Sequence, residues 1–531
     1  MKLLRSLLVS TFCRNRRLHV SAWKNQDKKK NVGEVAWIQP TGFDTGIVVY
    51  NPIVKSKVPL ITRNEGYASW YMCGPTVYDS AHIGHACSYV KLDIIRRILV
   101  EYFDINLITM MGITDIDDKI IKKSGESKRD WKELTRFYEK EFFSDMAELN
   151  VQQPYLCCRV SEHMPQILQF IFQILKNGGA YVTDEGSVYF DTSKYQAYGK
   201  LGIKETTAPC TQGKRNGQDF ALWKAAKPGE PFWESSWGPG RPGWHIECSV
   251  MASEKFGKSV DIHSGGIDLA FPHHENEEAQ SCQHHGVSQW VNYWLHTGHL
   301  HINSMKMSKS LGNSVSIAEL LDKFTADQFR LFCLTSHYRR GVEYTDDLMA
   351  ASVAILKKVE CFLDDCNNYV NGTLPEGNVD EVVILQSLAK TKSVIQSALA
   401  GDFDTPKAIR EITSLVTLGN KMLHSPEEEG TVRNPAVIAA LANYITSTLK
   451  SFGLETNTKN TQKSSIQTAD VIDDLVNLRR DVRNFALEVK LKDKRLLEAC
   501  DAARKNLSLH GVQIKDYGNT STWSFGGARK T

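Results

Sequence analysis

Hydrophobic and polar positions change rhythm several times along this chain, and each change marks an element. Ser69 to Cys73 is a short aromatic and apolar run broken by Gly74-Pro75, the pattern of a strand. After His82, the residues Val90, Ile94, Ile95, Ile98, Leu99 and Tyr102 recur at helical spacing, and a second strand-like run, Ile105 to Met111, follows at once. A strand, helix, strand order of this kind predicts the opening of a parallel sheet in an α/β fold. Beyond Asp115 the pattern turns mostly helical, and a Gly- and Pro-rich stretch from Lys227 to Gly243 precedes the next strand-like run, Ser259 to His263. The expected organisation is a nucleotide fold with halves at 36–118 and 243–300, split by an insertion at 119–242.

Downstream of a connecting region at 301–352, long helical patterns interrupted by polar loops at Asn371 to Asp380 and His424 to Asn434 predict a helical bundle over 353–454. The segment 455–470 is polar, with Ile466 its only branched aliphatic residue, and reads as a linker to a small module at 471–531. No run approaches the roughly 20 apolar residues of a membrane span, so no membrane partner is expected.

Charge alters the picture at one end. The net charge of +3 hides a leader in which the first thirty residues carry nine Lys or Arg and one acid, Asp27, leaving 55 basic against 60 acidic residues elsewhere. With Arg5, Arg14, Arg16 and Arg17 spread among Leu, Val and Ser, residues 1–35 have the composition of a mitochondrial transit peptide, which predicts the mitochondrial matrix. Twelve cysteines without a dense framework argue for a reducing interior and against a disulfide scaffold.

Two short motifs carry phosphate chemistry. His82-Ile83-Gly84-His85 lies between a strand and a helix start, where free backbone N–H groups favour an anion, and Gly84 leaves room for a nucleotide. His82 and His85, three apart, share a helical face and can donate to phosphate oxygens as charge moves. In Lys306-Met307-Ser308-Lys309-Ser310, the two lysines can meet a departing pyrophosphate on a loop able to close and open. Either motif alone is commonplace; their order across a split nucleotide fold is not.

These motifs, together with Met72-Cys73-Gly74-Pro75-Thr76-Val77-Tyr78-Asp79, Ile113-Thr114-Asp115-Ile116-Asp117-Asp118-Lys119, Gly243-Trp244-His245-Ile246-Glu247-Cys248-Ser249 and Pro272-His273-His274-Glu275-Asn276-Glu277, resemble the cysteinyl-tRNA synthetases of mitochondrial type, in class I of the aminoacyl-tRNA synthetases. The resemblance covers nearly all of the chain after the leader. It implies a class I Rossmann-like fold, the substrates L-cysteine, ATP with Mg²⁺ and tRNA(Cys), and ATP contacts at His82, Gly84, His85, Lys306 and Lys309, four of which (Gly84 apart) are also the catalytic set.

It further implies one zinc ion on Cys73, Cys248, His273 and Glu277, with His274 as the near competitor for the histidine's place. Metal chemistry agrees: two thiolates and an imidazole form a zinc-favouring set, and a helix would put His273 and Glu277 on one face. Glu277, the hardest donor, is expected to be the most dispensable ligand. Gly74, Thr114 and His273 would contact the amino acid, Trp244 would close the pocket and Asp268 would approach the ammonium. A metal–sulfur bond discriminates against serine by more than the ~1 to 3 kcal/mol of an apolar pocket, so no editing site is expected.

In the terminal module, nine basic and five acidic residues between Asn477 and Leu509, followed by Tyr517, Trp523 and Phe525, suit contacts to an anticodon. The rivals are an enzyme joining cysteine to an amino sugar by the same adenylate chemistry and a catalytically inactive synthetase-like RNA-binding protein. The resemblance also raises a persulfide activity with pyridoxal phosphate on Lys119, Lys122, Lys306 and Lys309.

Overall fold

A computed structural model describes residues 37–202, 213–302, 305–306, 314–374, 379–425, 433–455, 466–488 and 494–525. The leader at 1–35, most of the predicted linker and Lys309 lie outside the described residues.

Five parallel strands form the central sheet: β1 (Tyr67–Thr76), β2 (Asn106–Thr114), β3 (Leu156–Arg159), β4 (Val260–Gly266) and β5 (Val291–Thr297), in the order β5-β4-β1-β2-β3. Helix α1 (Ile83–Arg97), which closes in a π-helical turn at Ile98–Tyr102, connects β1 to β2. Strand order therefore reverses between β1 and β4, and in such sheets ligands bind at the carboxyl ends of the strands beside that reversal.

Both faces of β1 are covered, as a parallel sheet requires, so Ala68 to Cys73 are all buried. Alternation then sorts them. Trp70 and Met72 enter the core that α1 shares, whereas Tyr71 and Cys73 enter the opposite core with helix α2 (Trp244–Phe256). Residue parity alone thus delivers Cys73 to the face on which Cys248 waits.

The expected insertion at 119–242 needs correction. β3 lies inside it yet pairs with β2, with Met110 opposite Leu156 and Ile113 opposite Arg159. The helix Met164–Lys176 then buries Ile167, Phe170, Ile171 and Ile174 in the core that α2 shares. The interruption proper is the four-stranded antiparallel sheet of Ala180–Val182, Val188–Phe190, Phe220–Ala225 and Gly240–Pro242. β3 spans four residues, Leu-Cys-Cys-Arg, and its brevity hides it from a periodicity argument.

Helix α3 (Glu275–His285) follows β4 through a π-helical turn, Ala270–His274. Beyond the sheet come the bundle helices α4 (Asp346–Asn371), α5 (Glu381–Ala400), α6 (Thr405–Leu423) and α7 (Pro435–Lys450). Arg330, fully buried, fixes the bundle's end to the sheet: it pairs with Asp93 of α1 at 2.6 Å and donates to the carbonyls of Leu149, Asn150 and Phe452. Helix α8 (Ile466–Glu488) begins within the predicted linker, and α9 (Arg495–Leu509) leads to the hairpin Val512–Tyr517 and Thr520–Phe525.

Candidate active site and metal centre

Cys73 at the end of β1, Cys248 one turn into α2, and His273 and Glu277 around the start of α3 converge at the carboxyl edge of the sheet, all four buried. Their sulfurs stand 3.9 Å apart, Cys73 Sγ lies 3.7 Å from Glu277 Oε1, and His273 Nε2 lies 3.0 Å from the same oxygen. Two sulfurs bound tetrahedrally to zinc at ~2.3 Å are about 3.8 Å apart, so the donor set fits that ion in type and spacing. His273 belongs to the irregular turn before α3 rather than to the helix itself, and it still meets Glu277 four residues on.

The same pocket offers an overlapping set, Cys73, His263, His274 and Glu277, with Cys73 Sγ 3.3 Å from His274 Nε2. Two further histidine contacts hold members of the first set. His245 Nδ1 lies 2.9 Å from His273 Nδ1, which leaves His273 Nε2 directed at Glu277, and His263 Nε2 donates to Glu277 Oε2 at 2.8 Å. In the first set both contacts are of the kind by which outer partners orient metal ligands; in the second, His263 is itself a donor. His274 in turn shares a 2.8 Å hydrogen bond with His296.

Electrostatics follow from burial and these contacts. Burial opposes charge on Glu277, but His263 and His273 hold its carboxyl down at about 2. Burial likewise opposes the His273 imidazolium, yet Glu277 and Cys248 raise it to about 10. The hydrogen bond from Cys73 brings Cys248 down to about 6, whereas burial, Cys248 and Glu277 push Cys73 well up. Burial and then His273 keep His245 neutral; burial and His263 do the same for His296, which falls to about 3.

Around the cluster, Trp244 opens α2 with its ring stacked on His273, centroids 4.2 Å apart, and is 36% exposed. Asp268 Oδ1 lies 3.1 Å from His299 Nε2. Thr114 Oγ1 donates to Glu247 Oε2 at 3.0 Å, and Glu247 is buried with its carboxyl raised, first by burial and then by Cys248. At Gly74 a Cβ would collide with the carbonyl oxygen of Gly112, so close packing of β1 on β2 demands glycine there. Sequence reasoning missed Glu247, His245, His263 and His296. The signal for the first two was their place beside Cys248 in a quoted motif; His296, inside an apolar strand, gave none.

His82 caps α1. Its Nδ1 accepts from the Gly84 N–H at 3.1 Å, and His85 Nδ1 accepts from the His82 N–H at 3.3 Å, with the rings stacked at 3.9 Å. Accepting at Nδ1 places each neutral ring's proton on Nε2, making Nε2–H a donor for an anion at the helix start. The backbone flanking the second motif is anchored on both sides: Lys306 pairs with His301 in a strand, and Val315 accepts from Ile83 N at 3.0 Å. Lys119 and Lys122 sit on the helix Asp118–Ser127; Lys119 Nζ is 5.5 Å from the Tyr78 ring centre, and Lys122 is exposed beside Glu126. These are settings of surface lysines. Among the described residues no helix is long and apolar enough to cross a membrane.

Comparison with known proteins agrees with this geometry. Residues 60–354 match the family described as tRNA synthetases class I (C) catalytic domain. The chain is 44% identical over 519 residues to a probable mitochondrial cysteine–tRNA ligase of Xenopus tropicalis, covering 92% of this chain and 91% of that protein. It is 37% identical over 486 residues to the cysteine–tRNA ligase of Staphylothermus marinus, covering 90% and 99%. Among solved structures, Mycobacterium tuberculosis methionyl-tRNA synthetase in complex with methionyl-adenylate shares the fold, with a TM-score of 0.53 at 13% identity over 73% of this chain and 90% of that one. The matches to tRNA ligases cover nine-tenths of the chain, and they lend nothing to the amino-sugar or inactive-protein readings. With two thiols, an imidazole and a carboxylate gathered beside a nucleotide motif, and identity sustained over nine-tenths of its length, the chain belongs to the class I cysteine–tRNA ligases.

Proposed function

We propose that this enzyme, which activates L-cysteine with ATP and transfers it to tRNA(Cys), works in the mitochondrial matrix and selects its amino acid through zinc held by Cys73, Cys248, His273 and Glu277. The observation that carries the reading is the convergence of those four buried side chains at the strand-order reversal. Zinc bound there supplies a soft cationic partner for the substrate's sulfur as thiolate, which the harder, less acidic serine hydroxyl cannot match.

The chain's own residues do the rest. His245 and His263 hold His273 and Glu277 in place, Trp244 closes the pocket over His273, and Asp268 takes the ammonium, beside Gly74 and Thr114 on the strand ends. The cysteine carboxylate attacks the α-phosphorus of ATP and expels pyrophosphate. His82 and His85 donate from Nε2 to the phosphate oxygens while Lys306 and Lys309 receive the leaving group, with Mg²⁺ accompanying ATP. A terminal ribose hydroxyl of the tRNA then attacks the activated carbonyl and releases AMP.

The arginine-rich leader supports the compartment, as do two relatives described as probable mitochondrial cysteine–tRNA ligases, of Xenopus tropicalis and Dictyostelium discoideum. Zinc analysis paired with ATP–pyrophosphate exchange tests the site. One zinc per chain and exchange with cysteine but not serine are expected, both lost in Cys248→Ala. Metal-free protein that still charges tRNA selectively and at full rate overturns the zinc reading.

A further inference from the structure

The C-terminal module is built around a small core of its own. Ile472, Val476, Val512 and Ile514 pack with Leu507 and Trp523, separately from the continuous core of sheet and bundle. So small a core cluster gives a module that coheres but does not by itself fix an orientation on the bundle, and a cleft of about 490 Å³ opens between the two.

Two neighbouring carboxylates of α4 reach across that gap: Asp364 meets Ser524 of the module's second strand, and Asp365 makes the more extensive contact. Asp365, on α4 and 3% exposed, accepts from Lys515 Nζ at 2.9 and 3.0 Å and from the Tyr517 hydroxyl at 3.0 Å, both on the module's first strand. From the bundle side His424, at the end of α6, stands 3.3 Å away through Nε2, and its ring stacks on Tyr517 with centroids 5.0 Å apart and planes within 8°. One side chain on α4 thus ties two bundle helices to the hairpin. A buried carboxylate with directional donors on several sides accepts few alternative geometries, whereas an apolar contact would tolerate sliding.

We propose that Asp365 is a positioning residue for tRNA charging: by seating Lys515 and Tyr517 on the bundle it sets the angle of the C-terminal module, so that one tRNA engages module and catalytic centre together. The proposal rests on the reading of that module as the anticodon-binding part. Asp365 touches no reacting atom. Loosening the joint lowers the fraction of enzyme whose two tRNA-binding parts are in register, which raises the KM for tRNA and leaves amino-acid activation alone.

The test uses the full chain. Asp365→Asn and Lys515→Met, the latter a half-exposed position where folding is not at stake, are compared with native enzyme in cysteine-dependent ATP–pyrophosphate exchange and in tRNA charging. Each variant is expected to raise the KM for tRNA about tenfold with exchange unchanged within about twofold, and the double variant to be no worse than the worse single. Lys505→Ala and Arg483→Ala, on the module itself, are the controls. If these controls raise the KM while the joint variants do not, the positioning role is overturned and the anticodon reading stands. If none of the four moves it, the anticodon reading fails first. A parallel fall in exchange assigns Asp365 to general stability instead and also overturns the proposal.

Discussion

Cys73 Sγ and Cys248 Sγ stand 3.9 Å apart although 175 residues separate them in the chain. Strand parity on β1 brings the first, and the first turns of α2, laid over the same face, bring the second. A metal centre on this set would depend on the sheet being formed, which would link zinc binding to folding of the catalytic domain.

Proton release on zinc binding is the first consequence. In metal-free protein near pH 7.5, Glu277 (about 2) and Cys248 (about 6) have lost their protons, while His273 (about 10) and Cys73 (pushed up by burial) keep theirs. Zinc must displace the last two. Titration calorimetry in buffers of different ionisation enthalpy should report about two protons released per zinc. Since protons compete for His273 and Cys73, affinity falls as pH falls, by up to about a hundredfold per unit, and the His273 contribution vanishes once pH exceeds about 10.

The orienting histidines make a second, smaller effect testable. His263→Ala removes the donor at 2.8 Å from Glu277 Oε2, and His245→Ala removes the partner at 2.9 Å from His273 Nδ1. Neither is a ligand in the proposed set, so zinc should still bind, about 10- to 100-fold more weakly by competition with a chromophoric chelator. Were His263→Ala to abolish binding as fully as Cys248→Ala does, the overlapping set that includes His263 and His274 would be the true site.

Much of this was legible in the chain because its signals are local. The run Ser69 to Cys73, the spacing from Val90 to Tyr102 and the glycine of the first motif foretell β1, α1 and a turn between them, and the structure has all three. What escaped notice was set by long-range contacts. β3 is four residues long and earns its place only through pairing with β2. Glu247 and His296 find their hydrogen-bond partners in Thr114 and His274, brought near only by the fold.

Arg330 is the place to probe the domain junction. It is fully buried and bonded to Asp93 and three carbonyls, so Arg330→Met leaves the buried Asp93 with Arg97 as its remaining cationic partner and takes the Arg330 donors from the carbonyls of Leu149, Asn150 and Phe452. A loss of about 3–5 kcal/mol is expected, read as a lowered urea midpoint, with the replacement of Asp93 by Asn in the same chain recovering part of it.

His82 holds two duties that one pair of variants can separate. Its Nδ1 caps α1 through the Gly84 N–H, and its Nε2–H is the proposed phosphate donor. Asparagine can accept the capping hydrogen bond through its side-chain oxygen but has no donor where Nε2 stands, whereas alanine supplies neither. His82→Asn should therefore keep the native thermal midpoint while losing about 10²- to 10³-fold in ATP–pyrophosphate exchange, the scale of removing one transition-state donor. His82→Ala should lose the same activity and a further ~0.5–2 kcal/mol of stability. If the asparagine variant retains exchange, the histidine is a helix cap and the charge stabilisation must come from His85 and the second motif.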